Sequence, residues 1–259
     1  MKPIKSLLIS QPEPADRLHS PFAPLVEKYG VELNFRQFIK VQCVSAKDFR
    51  RNRLDLAEFS AIYLGTKIAV ENFFHLCEET RFKVSEDLKY FCTNEQVALY
   101  LQRFIHYRKR KVFHGMHNFA DTKEVLLKHK KKEKFLVTLT NANNTEVPDF
   151  FKTNGFNYNE AVITETVSAD LKDTINIQDY DMLIFFTPFG VRSLFENFPD
   201  FVQGDIKIAC CHETAEQVAV ELGLRIDVPA APEGTSVIAQ VNDYLQKVNG
   251  VTTYGTSKS

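Results

Sequence analysis

Short apolar runs alternate with longer amphipathic stretches along the whole chain. Ile4 to Ser10 is an apolar run of strand length, followed by a proline-rich turn at Pro12 and Pro14. A helix then ends at Lys28-Tyr29-Gly30, with Gly30 as its left-handed stop. Val31 to Val44 alternates loosely and reads as one long strand. Ile62–Leu64 and Leu183–Phe186 are apolar runs, each followed by a polar turn (Thr66, Thr187) and a helix. Val70, Phe73, Phe74 and Cys77 share one face of the first helix; Val191, Leu194, Phe195 and Phe198 share one face of the second. Phe135–Leu139, a helix through Phe150 and Phe151, Gly155 and then Phe156 to Val167 return to the opening order of strand, helix, glycine and strand. Such alternation predicts an α/β fold of parallel sheets covered by helices on both faces. The end of the chain, 248–259, carries mainly Gly, Thr and Ser and is expected to be disordered.

The pattern is duplicated. Thr93-Asn94-Glu95-Gln96-Val97-Ala98 recurs as Thr214-Ala215-Glu216-Gln217-Val218-Ala219, an offset of 121 (214 − 93). The Thr66 block and the Thr187 block stand at the same offset, 121 (187 − 66). A period this long is a domain rather than a solenoid unit, whose periods are roughly 20 to 50 residues. The chain therefore reads as two similar lobes, with a site expected between them.

Composition narrows the class. A chain of 259 residues, 44% hydrophobic and 25% charged, can bury two modest cores. A formal net charge of −1 provides no global field for nucleic acid or an anionic membrane. The basic runs His106–Lys111 and Lys128–Lys132 read as solvated faces. The N-terminal apolar run is too short for a signal segment or a membrane span, so a cytoplasmic protein is expected. Five cysteines without C-x-x-C spacing read as reduced thiols. Cys210-Cys211-His212 has neither a partner pair nor a shared strand face, so no metal is expected. Glycine-rich nucleotide loops and G-x-S-x-G elbows are absent, so neither a cofactor nor a conventional nucleophile is predicted.

The remaining candidates are helix starts. In a parallel sheet ligands bind beyond the strand carboxyl ends, where helix amides are free. Thr66 and Thr187 fall at that edge, and Thr93–Gln96 and Thr214–Gln217 both fit a capping box. Four such starts facing one cleft would attract carboxylates or phosphates. Each threonine taken singly reads more readily as a plain cap, contributing about 1 kcal/mol. Lys67 and Arg192 fit either charged ligand contacts or solvated first-turn positions.

Ser10-Gln11-Pro12-Glu13, Thr66-Lys67-Ile68-Ala69-Val70-Glu71, Thr187-Pro188-Phe189-Gly190-Val191-Arg192-Ser193 and the segment Thr214 to Leu224 together resemble uroporphyrinogen-III synthases, in order, over residues 4–247. The resemblance implies two lobes, 1–38 plus 168–247 and 42–163, joined by two linker strands near Arg36–Cys43 and Ile163–Ser168. It implies a carbon–oxygen lyase of haem biosynthesis that closes the linear tetrapyrrole hydroxymethylbilane to uroporphyrinogen III. Ring D is inverted and water lost, without a cofactor and in a monomer. Thr66, Lys67, Thr93, Thr187, Gly190, Arg192 and Thr214 are the substrate-binding residues it implies, receiving the eight carboxylates of the substrate. The chain departs from the family pattern at Gln11, Gly65-Thr66 and His212, and at Thr164, near which the family commonly has a tyrosine. A non-catalytic two-lobe protein binding an anion or a partner is the alternative.

Overall fold

The computed structural model describes residues 2–141, 145–232 and 236–250. In chain order its elements are β1 (Ser6–Ile9), α1 (Ala23–Tyr29), β2 (Glu32–Phe35), β3 (Ile39–Cys43), α2 (Ala46–Arg51), β4 (Ala61–Leu64), α3 (Lys67–Thr80), β5 (Lys89–Cys92) and α4 (Glu95–Tyr100). There follow β6 (Val112–His114), α5 (Phe119–His129), β7 (Phe135–Thr140), α6 (Glu146–Thr153), β8 (Tyr158–Ser168), β9 (Met182–Phe185), α7 (Pro188–Asn197), β10 (Lys207–Cys210), α8 (Glu213–Glu221) and α9 (Val237–Asn249). They build an α/β protein with two compact units: the described residues of Met1–Lys40 with Val167–Ser259, and Val41–Thr166. Among the described residues no helix is long and apolar enough to cross a membrane.

Unit 1 holds a four-stranded sheet, ordered β10-β9-β1-β2, with every pairing parallel. Its central strands β9 and β1 are almost wholly apolar because both faces are covered. Leu7, Ile9, Met182 and Ile184 pack towards Leu25 of α1 and Val241 of α9. Leu8, Leu183, Phe185 and Ile208 pack towards Val191 of α7 and Ala219 of α8. Cys210 and Cys211 fall into opposite cores, as strand alternation requires. Gly30 ends α1 at φ 65°, the conformation that suits a residue without Cβ.

Unit 2 holds the order β8-β7-β4-β5-β6, again parallel at each pairing, with β3 on the far side of β8. Ile62, Leu64 and Cys92 meet Val70, Phe73 and Cys77 of α3. Ala61, Tyr63 and Phe91 meet Phe119 of α5 and Phe151 of α6. A bulge in β8 shifts the β7 register, so that Leu139 pairs with Val162 and Thr140 with Thr164. Alternation breaks there, and the consecutive residues Ile163 and Thr164 are both buried. The Thr164 hydroxyl accepts a hydrogen bond from Asn72 Nδ2 at 2.8 Å.

Four expectations need correction. The stretch Val31–Val44 is not one strand: β2 pairs with β1, while β3 belongs to the other sheet. Between them Phe38 is buried against Phe185, and its carbonyl accepts from Ala169 N and Ser193 Oγ. The duplication holds at 121 for the Thr66 and Thr187 helix starts, but β5 and β10 correspond at 118 (207 − 89). The reason is length, since α3 has 14 residues and α7 has 10. Thr93 and Thr214 are therefore not equivalent. The capping boxes there are also absent: Asn94 caps α4, and His212 precedes α8 without a side-chain cap bond. Finally, Val248 and Asn249 belong to α9, and Asn249 bonds the backbone N–H and C=O of Ile4, while 251–259 lie outside the described residues.

Asp181 fixes the start of the central pair β1–β9. Its carboxylate accepts from Lys5 N (2.8 Å), Ser6 N (3.1 Å) and Lys2 Nζ (3.2 Å). Burial alone would raise its pKa, but these donors outweigh burial and hold it below the usual carboxylate value. The charged form is favoured in the fold, so its contribution is present above the unfolded pKa and lost as pH falls through the folded one. Asp181→Asn should cost about 1–2 kcal/mol near neutral pH. Denaturant titrations from neutral to acid pH should show a smaller acid loss in the variant than in the wild type.

Candidate functional site

Each sheet reverses its strand order once, and ligands of open α/β sheets bind outside the carboxyl ends at that reversal. In unit 1 it lies between β1 and β9, whose chains continue to β2 on one side and β10 on the other. In unit 2 it lies between β4 and β7.

At the unit 1 reversal, Thr187 caps α7, its hydroxyl accepting from Gly190 N at 3.1 Å. Ser10, directly after β1, donates its amide to Ile184 O at 3.0 Å. Its hydroxyl is buried, in a residue only 8% exposed, and has no hydrogen-bond partner among the described residues. A methyl group on Gly190 would lie 3.6 Å from both the Ser10 and Thr187 hydroxyl oxygens. Ser10, Thr187 and Gly190 thus converge at the start of a ten-residue helix, where amide dipoles favour an anion. The sequence points to Ser10 only through its place after the first strand.

At the unit 2 edge, Thr66 caps α3, with its hydroxyl accepting from Ala69 N at 3.0 Å. The Thr93 hydroxyl instead meets the Tyr63 hydroxyl at 2.8 Å. Gly65 joins the two threonines, since a Cβ on it would sit 3.7 Å from Thr93 Oγ1. The Thr93 carbonyl is held by Thr122 Oγ1 at 3.0 Å. Lys67 is exposed, with its ammonium 5.8 Å from the Tyr100 ring centroid. Burial, partly offset by the Thr93 hydrogen bond, pushes Tyr63 up to about 12, so its phenol keeps its proton at neutral pH. Tyr63 is a further candidate that pattern reading misses, because an apolar strand hides a hydroxyl at its tip.

Two candidates stand apart from these clusters. Arg192 is exposed, with its guanidinium 4.0 Å from Glu221 at the far end of α8. Thr214 is exposed in the first turn of α8. Thr164, bonded to Asn72, is part of the core.

Among the described residues no group of three or more His, Cys, Asp or Glu is placed to hold a metal ion. Burial is the main cause that pushes the thiols up, Cys43 to about 11 and Cys77, Cys92 and Cys210 to about 12. Little nucleophilic thiolate therefore exists near neutral pH.

The caps can be tested directly. Thr66→Ala and Thr187→Ala should each lower stability by about 1 kcal/mol, whereas Thr214→Ala should leave the melting temperature unchanged. Thermal unfolding of the three variants checks this.

A family model described as uroporphyrinogen-III synthase HemD matches residues 20–239. No curated protein matches the chain in sequence. Among solved structures, uroporphyrinogen-III synthetase from Helicobacter pylori is 13% identical and superposes with a TM-score of 0.51, covering 93% of this chain and 100% of that one. A mutant uroporphyrinogen III synthase from Thermus thermophilus is 13% identical, with a TM-score of 0.43 over 94% of this chain and 99% of its own. At these identities the likeness concerns the fold.

Proposed function

The chain belongs to the uroporphyrinogen-III synthase family, and from that premise we propose that it closes hydroxymethylbilane to uroporphyrinogen III. Ring D is inverted and water is lost, as in a carbon–oxygen lyase. The observation that carries this reading is the family match across residues 20–239. The two units act as its lobes, 1–38 plus 168–247 and 42–163, in a cytoplasmic monomer that needs no cofactor.

The chemistry at the two sheet edges supports the reading. A substrate with eight carboxylates needs many donors, and a protein with a formal net charge of −1 supplies them as helix amides and hydroxyls. In unit 1 the Ser10 hydroxyl and the first turn of α7 receive a carboxylate. In unit 2 Thr66, Lys67 and Thr93 do the same. The Tyr63 and Thr93 hydroxyls share one hydrogen bond, and when protonated Tyr63 is its donor the Thr93 proton is left free for the substrate. Tyr63 is then a positioning residue, and catalysis is chiefly the holding of both chain ends in one geometry.

A coupled assay that separates the type III from the type I product tests the activity. Type III should predominate, and an exclusively type I product would overturn the reading. Ser10→Ala should keep or raise the melting temperature, because it removes an unpaired buried hydroxyl. It should raise KM about tenfold, the worth of one hydrogen bond to a charged group.

Tyr63→Phe and Thr93→Ala should each lower kcat about tenfold. If Tyr63 acts through Thr93, the double variant loses no more than Thr93→Ala alone. Single-turnover kinetics on all three give the coupling, and independent multiplication of the two losses would refute it.

A further inference from the structure

The basic run His106–Lys111 takes no part in the site above. It lies in the crossover from α4 to β6 and borders a cavity of about 300 Å³ in unit 2. Tyr90 near the start of β5 and Lys111 just before β6 both line it. The cavity therefore sits at the amino-terminal edge of the sheet, away from Thr66 and Thr93.

Its walls are of two kinds. Phe74 and Phe104 stack with ring centroids 4.8 Å apart and planes 8° from parallel. The Tyr90 ring lies 6.4 Å from Phe74, at 26°. Arg108 and Lys111 supply positive charge. The ion pair of Arg108 with Glu86 spans 3.4 Å, and the Glu86 side chain is 85% exposed, so water weakens it and leaves the guanidinium able to take another anion. Lys111 is committed more firmly, to Asp87 and the Glu86 carbonyl. A second cavity shares Phe74, Val84 and Phe104 and adds Arg81, Lys83 and Arg103 to the positive side.

Tyr90 supplies the observation that points to a ligand. The residue lines the cavity, and its hydroxyl, which is not enclosed, makes no hydrogen bond within the described residues and is open to an acceptor there.

We propose that this cavity binds a small planar aromatic carboxylate of one or two fused rings. The ring lies against the Phe74–Phe104 stack, and the carboxylate is taken by the Tyr90 hydroxyl and Arg108. A volume of about 300 Å³ is at the lower end for ligand cavities and excludes a four-pyrrole chain. The proposal is thus independent of the activity assigned above.

The test titrates 1-naphthoate into the full chain by calorimetry, with 1-naphthalenemethanol as the uncharged control. Naphthoate should saturate one site and bind about tenfold more tightly than the alcohol. Tyr90→Phe should keep its melting temperature, since no hydrogen bond is lost, and weaken naphthoate about tenfold. Arg108→Ser, at a partly exposed position, should weaken it similarly and independently of any packing change around Tyr90. Thr93→Ala, at the other edge, should bind naphthoate as the wild type does. Failure to saturate at millimolar ligand would overturn the proposal. So would equal affinity for the alcohol, or wild-type affinity in both Tyr90→Phe and Arg108→Ser.

Discussion

Parallel strand pairing is the constraint from which the rest follows. A parallel neighbour cannot be reached by a tight turn, so the chain must cross the sheet and return. Each crossover after β4, β5 and β9 contains a helix that begins just beyond the strand's carboxyl end, and α8 follows β10 in the same way. Amide donors, capping hydroxyls and glycine-lined turns therefore accumulate at one edge of each sheet. The crossovers finish at the other edge. There α3 and the segment leading to β6 leave room for the aromatic and basic cavity.

Electrostatics at the two edges differ in kind. Near Ser10 and Thr187 attraction comes from oriented dipoles and hydroxyls, with no lysine or arginine among the described residues bonded to either hydroxyl. Such donors are fixed by the fold and need no rearrangement to meet an anion. Around Phe104 the attraction comes from full charges on flexible side chains, which added salt screens. Binding at the first edge should thus depend less on ionic strength than binding at the second.

The fold was legible where burial is two-sided. Apolar runs such as Leu7–Ile9 and Leu183–Phe185 are uninterrupted because helices cover both faces, and the threonines after β4 and β9 mark the helix starts. What could not be read depends on tertiary partners. Thr93 and Asn94 are both good caps, and the choice falls to Asn94 because Tyr63 engages the Thr93 hydroxyl. The break between β2 and β3 depends on a pocket for Phe38 made by Phe185, a residue far along the chain. Ser10 becomes noticeable only when its hydroxyl is seen to be enclosed and unpaired. Arg192 has the right spacing in sequence but leans towards Glu221.

The central position of β1 has a consequence for how the protein is made. Its partner β2 follows closely, but β9, which closes its other edge, begins 173 residues after β1 ends (182 − 9). At translation rates of roughly 5–20 residues per second, that interval is on the order of ten to thirty-five seconds. Throughout it Leu7, Leu8 and Ile9 have no strand on that side, and by its end all of Val41–Thr166 has been synthesised. The nascent chain thus completes its second unit before its first, and a ribosome that stalls before residue 182 leaves an apolar parallel edge open to association with other chains.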